Sequence, residues 1–168
     1  MVKKSIASRP ADTLPVEMES LVQRARQGAD VAQIVLAWPA PNDRLAIEVV
    51  RQQAERDLDR SPAAAYRLAK LAYALGRQLH RNDPHGHKAR ALRGRTATTL
   101  AAAERRRANY QEAENLLSEG IDLLRGYRNG PARRRALLEQ AWLLYDLDNS
   151  AEAEAAFSVL LDGAPSEE

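Results

Sequence analysis

Apolar residues recur at helical spacing along most of the chain, most clearly in the segment AAAYRLAKLAYALGRQLHR over residues 63–81. There, Leu68, Leu71, Leu75 and Leu79 fall on one side of a helix and form a broad apolar stripe. Aromatic residues make up only 5% of the sequence, and alanine, leucine, arginine and glutamate dominate it. This mixture favours helix over strand. We therefore predict an all-α fold of about seven or eight helices.

Helix-starting and helix-ending residues divide the first quarter of the chain. Thr13 is positioned to cap a first helix, which Gly28 ends. Asp30 can then cap a short apolar helix that the following Pro-Ala-Pro stops. We predict a disordered tail over residues 1–12 and an N-terminal helical hairpin over residues 13–41.

A longer helical region follows this hairpin. One helix is predicted to begin at Asn42 or Asp43, and Ser-Pro at Pro62 restarts the chain as a second helix. The polar loop NDPHGH then separates the halves, and a further long helix is predicted from about His87. We assign residues 42–165 to one helical domain.

A sequence repeat lies in the second half of this domain. The stretch NYQEAENLLS at 109–118 returns forty residues later as NSAEAEAAFS at 149–158. In each copy an Asn is followed three residues later by Glu, as in Asn109 and Glu112, which predicts a capping-box-like pair at a helix start. The small Ala that follows lets a partner helix approach closely. We interpret each copy as the start of the second helix of a helical hairpin.

The repeat resembles the tetratricopeptide repeat family, whose helix-turn-helix units carry small and large apolar residues at fixed places. In this chain those places are filled by Ala101, Ala113, Leu117 and Gly120 in one unit and by Ala141, Ala153, Phe157, Leu160 and Pro165 in the next. A looser third copy extends the resemblance over roughly residues 43–165. The units are forty residues apart instead of the family's roughly thirty-four, and the usual aromatic residues of the first helix are missing. The resemblance implies stacked antiparallel hairpins forming an α-solenoid.

The same resemblance implies a concave groove lined by the first helix of each unit. The implied groove residues are Arg95, Thr98, Arg105, Arg135, Trp142 and Tyr145. Aromatic residues and arginine are the residue types that most often anchor interfaces. An alternative is that Trp142 and Tyr145 fill the core of the last hairpin. The function implied is that of a non-catalytic adaptor or scaffold that binds a partner protein or an acidic peptide segment.

Charge is unevenly distributed along the chain. Residues 84–135 carry a formal net charge of +7, whereas residues 136–168 carry −8. The arginine runs 105–107 and 133–135 make a nucleic-acid-associated accessory protein the second hypothesis. Few aromatic residues interleave with these arginines, so stacking on single-stranded nucleic acid has little support.

The sequence offers no residue set with the spacing of a catalytic site, and it contains no cysteine. His80, Asp83, His85 and His87 are suitable ligands for zinc, but their spacing matches no helix-borne metal site. We therefore predict no enzymatic activity and no cofactor, and we assign no metal ligand, while metal binding by the loop over residues 82–87 stays open.

The sequence also contains no signal peptide and no apolar run of eighteen residues. We expect a cytoplasmic protein of bacterial type that does not associate with membranes. The identity of the partner, the biological process and self-association stay open at this stage.

Overall fold

The fold is given by a computed structural model that describes residues 14–126 and 130–162. Within these ranges the chain forms eight α-helices and no β-strand, which confirms the prediction of an all-α fold. The predicted tail over 1–12, the predicted cap Thr13 and Pro165 lie outside the described residues. The helices are α1 (Val16–Arg26), α2 (Val31–Leu36), α3 (Arg44–Asp57), α4 (Pro62–Asn82), α5 (His87–Arg106), α6 (Tyr110–Leu124), α7 (Pro131–Asp146) and α8 (Ser150–Asp162).

The helix starts agree closely with the capping residues of the sequence. The Asp30 carboxylate accepts a hydrogen bond of 3.0 Å from the backbone N–H of Ala32 at the start of α2. Asp43 caps α3 in the same way, with its carboxylate 3.0 Å from the Ala46 nitrogen. Pro62 is the first residue of α4, where its fixed φ suits the helix and its missing N–H costs nothing.

Three turns between consecutive helices share one backbone geometry. The residues Gly28, Ala108 and Asp148 have positive φ angles of 98°, 57° and 59° and end α1, α5 and α7 respectively. In each turn the residue that follows the positive-φ residue donates its backbone N–H to the carbonyl five residues before it, as a Schellman motif requires. These bonds run from Ala29 to Arg24 (3.0 Å), from Asn109 to Glu104 (3.0 Å) and from Asn149 to Leu144 (2.9 Å).

The capping box predicted at Asn109 is wrong. Asn109 occupies the N-cap position of α6, but its side chain makes no capping hydrogen bond. Its amide nitrogen Nδ2 instead donates to the buried Glu104 carboxylate at 3.1 Å. The side chain therefore ties the turn to the end of α5, and the repeated Asn marks a shared helix-ending turn.

The turn at Ala108 makes a stability prediction. A non-glycine residue in left-handed conformation costs roughly 1–2 kcal/mol, and glycine avoids this cost. Part of the gain is lost because glycine gives the unfolded chain more conformational freedom. We expect Ala108→Gly to raise the free energy of unfolding, measured by urea denaturation, by about 0.5–1 kcal/mol. Ala103→Gly, at a buried position inside α5, is the matched control and should lower it. A loss of stability in Ala108→Gly would contradict the assigned turn.

The core is built around α4 and α5. Helix α4 packs against α3, α5, α1 and α2, and α5 packs against α4, α6, α3 and α7. Helices α1 and α2 make more contact with α4 than with each other. The largest fully buried side chains come from several helices and include Ile34, Ile47, Leu68, Leu71, Leu75, Leu92, Leu117 and Leu124.

Helices α5 and α6 approach each other closely at two glycines. A Cβ placed on Gly94 would lie 2.8 Å from the Leu124 side chain, and one placed on Gly120 would lie 2.9 Å from the Thr98 hydroxyl. Gly120 would also bring its Cβ within 3.2 Å of the Gly94 carbonyl oxygen. Because these two positions have no side chain, α5 and α6 can pack at this short distance.

The last helix, α8, covers one side of α7. Ala153 is buried while Glu152 and Glu154 are exposed, as expected for an amphipathic helix. However, Val159 and Leu161 are 69% and 75% exposed. The outer surface of α8 is therefore less polar than its acidic composition indicates.

Candidate binding surface on α3, α5 and α7

Helix α5 contacts both α3 and α7. Two adjoining depressions lie on the surface that they share, which we call the α3–α5–α7 face. The first, the arginine cleft, has a volume of about 480 Å³ and is lined by Arg51, Glu55, Arg95, Thr98, Pro131, Ala132 and Arg135. The second, the aromatic shelf, has a volume of about 400 Å³ and is lined by Arg105, Arg106, Arg135, Glu139, Trp142, Tyr145 and Asp146.

On the α3 side of the arginine cleft, Arg51 is held between two carboxylates of its own helix. Its Nη2 lies 2.7 Å and its Nε 3.1 Å from the two oxygens of Glu48, and its Nη1 donates to Glu55. The Glu55 carboxylate also accepts a 3.1 Å hydrogen bond from the Thr99 hydroxyl of α5. Arg51 is therefore fixed in place and joins α3 to α5.

This cluster shifts the pKa values of its members. Burial raises the pKa of Glu48, but the hydrogen bond and charge of Arg51 and the charge of Arg95 outweigh it and leave the pKa lowered. Burial likewise lowers the pKa of Arg51, yet Glu48 and Glu55 raise it overall. Both groups stay charged at neutral pH.

Arg95, across the cleft on α5, is held less tightly. Its Nη2 lies 3.6 Å from Glu48, which is an ion pair without a hydrogen bond. Its Nε is buried and has no hydrogen-bond partner among residues 14–126 and 130–162. The guanidinium is part-exposed towards the cleft, so it retains donors for a further acceptor.

The aromatic shelf contains a buried carboxylate, that of Glu139, whose side chain is only 3% exposed. Arg135 approaches it at 2.8 Å and Arg105 at 3.4 Å, and Arg105 also donates to Asp146 at 2.6 Å. Because Arg105 is only 12% exposed, it bridges α5 and α7 from an enclosed position. This network of ion pairs joins α5 to α7.

Trp142 and Tyr145 project from the last two turns of α7. Their side chains are 41% and 58% exposed, so they do not fill the core of the last hairpin. Their rings meet edge to face with centroids 6.0 Å apart, and the other side of Trp142 contacts Phe157 of α8 at 5.1 Å. Because these ring contacts restrict their movement, Trp142 and Tyr145 present a fixed apolar surface.

The six residues implied by the family resemblance all line the α3–α5–α7 face. Arg95, Thr98 and Arg135 lie in the arginine cleft, whereas Arg105, Trp142 and Tyr145 line the aromatic shelf together with Arg135. Thr98 is buried, and its hydroxyl donates to the Gly94 carbonyl at 3.0 Å. Its role is therefore packing against Gly120 and not donation to a ligand.

Sequence reasoning missed the acidic and α3 residues of the face, chiefly Arg51, Glu55 and Glu139. The spacing of Arg135 and Glu139, and of Arg51 with Glu48 and Glu55, is i,i+3 or i,i+4 on one helix, and this was a sequence signal for paired carboxylates. Arg51 lies in the helix where the repeat pattern is weakest. Contacts from Glu139 to Arg105 join positions thirty-four residues apart and follow only from the fold.

The arginine run 105–107 is engaged by carboxylates within the chain. Arg105 pairs with Glu139 and Asp146, Arg106 pairs with Asp59, and Arg107 pairs with Glu104. Arg107 also stacks over the Tyr66 ring at 3.8 Å. These internal pairs reduce the positive charge that the run offers to phosphates.

The loop with three nearby histidines does not assemble a metal site in the part of the chain that is described. No group of three or more His, Asp or Glu side chains there has the arrangement of a metal centre. Burial and the charges of Arg93 and Arg90 lower the pKa of His80. The Asp83 carboxylate turns instead towards Gly86, where a Cβ would lie 1.9 Å from it.

On the opposite side of α5, Tyr73 provides a prediction of pH dependence. Burial, the 2.7 Å hydrogen bond to Glu119 and the charge of Glu119 raise the pKa of Tyr73 to about 12 from 10.0. A raised pKa means that this stabilisation is complete below pH 10 and is lost as the pH rises through 12.

We therefore expect wild type to lose more stability than Tyr73→Phe between pH 9 and pH 11, as measured by urea denaturation at each pH. The Phe variant lacks the ionising hydroxyl, so the difference between the two proteins should shrink as the pH rises. Equal pH dependence in both proteins would show that burial and Glu119 do not raise the pKa of Tyr73.

Comparisons of the chain with protein-family models, with curated proteins and with solved structures found no match. None of the helices within 14–126 and 130–162 is long and apolar enough to cross a membrane.

Proposed function

We propose that this chain is a tetratricopeptide-repeat-like adaptor that binds a segment of a partner protein along the α3–α5–α7 face. In this proposal the pairs α3–α4, α5–α6 and α7–α8 are the repeat units, and the first helix of each unit contributes to the binding groove. The proposed role requires binding only and no bond-making chemistry by this chain.

The repeated turn geometry supports this arrangement of units. Ala108 and Asp148 lie forty residues apart, have the same left-handed conformation, and connect the first to the second helix of their pairs. The contacts of α5 with both α3 and α7 place the first helices side by side. Solenoids of helix pairs create extended binding surfaces of this kind.

The observation that carries the proposal is the pairing of exposed aromatic rings with part-exposed arginines on one face. Trp142 and Tyr145 are exposed although they are large and rigid, and the arginine cleft adjoins them through Arg135. Buried aromatic and arginine side chains dominate the binding energy of many protein interfaces. A partner segment that covers the rings would remove this apolar surface from water.

A peptide-display selection tests the proposal. Wild type should enrich peptides containing Asp or Glu together with aromatic or large aliphatic residues. Arg95→Gln with Arg135→Gln should lose the acidic preference, and Trp142→Ala should lose the apolar preference, because each removes one half of the surface. Glutamine is used because a new negative charge beside the buried Glu139 would also disturb the fold.

The matched control is Arg81→Gln with Arg125→Gln, which removes the same charge from exposed positions elsewhere. This control should select the same peptides as wild type. Selection of the same peptides by all the variants would overturn the proposal. Tight binding to a single-stranded oligonucleotide, falling steeply between 50 and 200 mM salt, would instead favour the nucleic-acid hypothesis.

A further inference from the structure

The start of α7 is electrostatically unfavourable by itself. The helix begins at Pro131, its N-cap Gly130 supplies no side-chain hydrogen bond, and no acidic residue lies in its first turn. Arginines 133, 134 and 135 follow at once. Because the N-terminal end of a helix already carries positive partial charge, this end of α7 would be stabilised by a nearby anion.

The arginine cleft lies directly at this helix end, since Pro131 and Ala132 form part of its lining. Across the cleft, the Arg95 side chain is 39% exposed and has only a 3.6 Å contact to Glu48. Arg51, by contrast, is saturated by Glu48 and Glu55. Arg135 pairs with Glu139 at 2.8 Å but its side chain is still 46% exposed. Arg95 and Arg135 are therefore the guanidiniums placed to receive a carboxylate from outside the chain.

The aromatic shelf favours the opposite chemistry. Among its arginines, Arg105 is already paired with Glu139 and Asp146, and Arg106 is paired with Asp59. The carboxylates of Glu139 and Asp146 would repel a further carboxylate. Trp142 and Tyr145 offer aromatic surface instead. An acidic side chain thus belongs in the arginine cleft, and an apolar one belongs on the aromatic shelf.

Helix geometry sets the distance between these two positions. The midpoint of Ala132 and Arg135 lies ten residues before the midpoint of Trp142 and Tyr145, which is about 15 Å along α7 at a rise of 1.5 Å per residue. An extended peptide advances about 3.3 Å per residue. Four to five residues of extended chain therefore connect the two positions.

From this geometry we propose that the partner segment is extended and carries an Asp or Glu four or five residues from an aromatic or large aliphatic residue. The carboxylate binds Arg95 and Arg135, and the apolar side chain lies against Trp142 and Tyr145. This inference depends on the proposed function, because it specifies which segment the α3–α5–α7 face recognises.

Synthetic twelve-residue Gly-Ser peptides with one Glu and one Phe test this spacing. The two residues are placed one, four, five or nine positions apart, in both chain directions. Binding is followed by NMR through the indole N–H of Trp142, which is one of only two tryptophans, the other being the buried Trp38. Spacing of four or five should bind about tenfold more tightly than one or nine, since both anchors then engage together.

Substitutions in the protein identify which residues bind the peptide carboxylate. Arg95→Gln with Arg135→Gln should reduce the Glu peptide to the affinity of its Gln counterpart, whereas Arg81→Gln with Arg125→Gln should not. Binding that is equal at all spacings would overturn this inference and leave the proposed function intact. If no peptide perturbs Trp142, and the display selection also yields no peptide dependent on this face, both are overturned.

Discussion

Glu139→Ala is expected to lower the free energy of unfolding by about 3 kcal/mol, because it leaves charged Arg105 enclosed with one partner fewer. The Glu139 carboxylate is 3% exposed and receives both Arg105 and Arg135, while Arg105 is itself only 12% exposed. Removing one member of a buried ion pair costs far more than removing an exposed one. Urea denaturation followed by circular dichroism measures the change.

Glu154→Ala is the matched control, because Glu154 is exposed on α8. It should change the free energy of unfolding by less than about 0.5 kcal/mol. Glu139→Gln should fall between the two, since its amide keeps the shape and can still accept a hydrogen bond. A Glu139→Ala protein as stable as wild type would mean that the network joining α5 to α7 does not form.

Gly120→Leu is expected to lower the free energy of unfolding by about 3 kcal/mol through overpacking between α5 and α6. A Cβ at Gly120 would already lie 2.9 Å from the Thr98 hydroxyl and 3.2 Å from the Gly94 carbonyl oxygen. A leucine must therefore push α6 away from α5. Thermal and urea denaturation both report this loss.

Gly126→Ala provides the comparison, because a Cβ there meets nothing within 4 Å, and its effect should be small. Gly120→Leu should also weaken peptide binding, since Thr98 and Arg95 lie on α5, whose packing against α6 the leucine disturbs. If Gly120→Leu proves as stable as wild type, α5 and α6 do not cross at the two glycines.

Most helix positions could be predicted from the sequence because their signals are local. Asp30, Asp43 and Pro62 begin helices by satisfying or avoiding backbone N–H groups within a few residues. The turns at Ala108 and Asp148 were missed because left-handed conformation is usually indicated by glycine. Their conformation depends on how the following helix packs, which no single segment reveals.

The candidate surface was predicted only in part. Arg95, Arg135, Trp142 and Tyr145 were implied by the family resemblance, in which first-helix residues line a common groove. The carboxylate partners of Arg105 could not be predicted from the sequence, because Arg105 meets Glu139 and Asp146 only after α5 and α7 pack together. The α3–α5–α7 face is therefore more nearly neutral than the charge of +7 over residues 84–135 indicates.

Photocrosslinking of a captured partner tests the central claim most directly. The photoreactive residue benzoylphenylalanine replaces Tyr145 on the aromatic shelf or, as a comparison, the exposed Gln111 at the start of α6. The account predicts an adduct from position 145 that disappears when Arg95→Gln and Arg135→Gln are added, and none from position 111. An adduct from position 111 alone, or one at 145 that is unaffected by the two arginine substitutions, would contradict it.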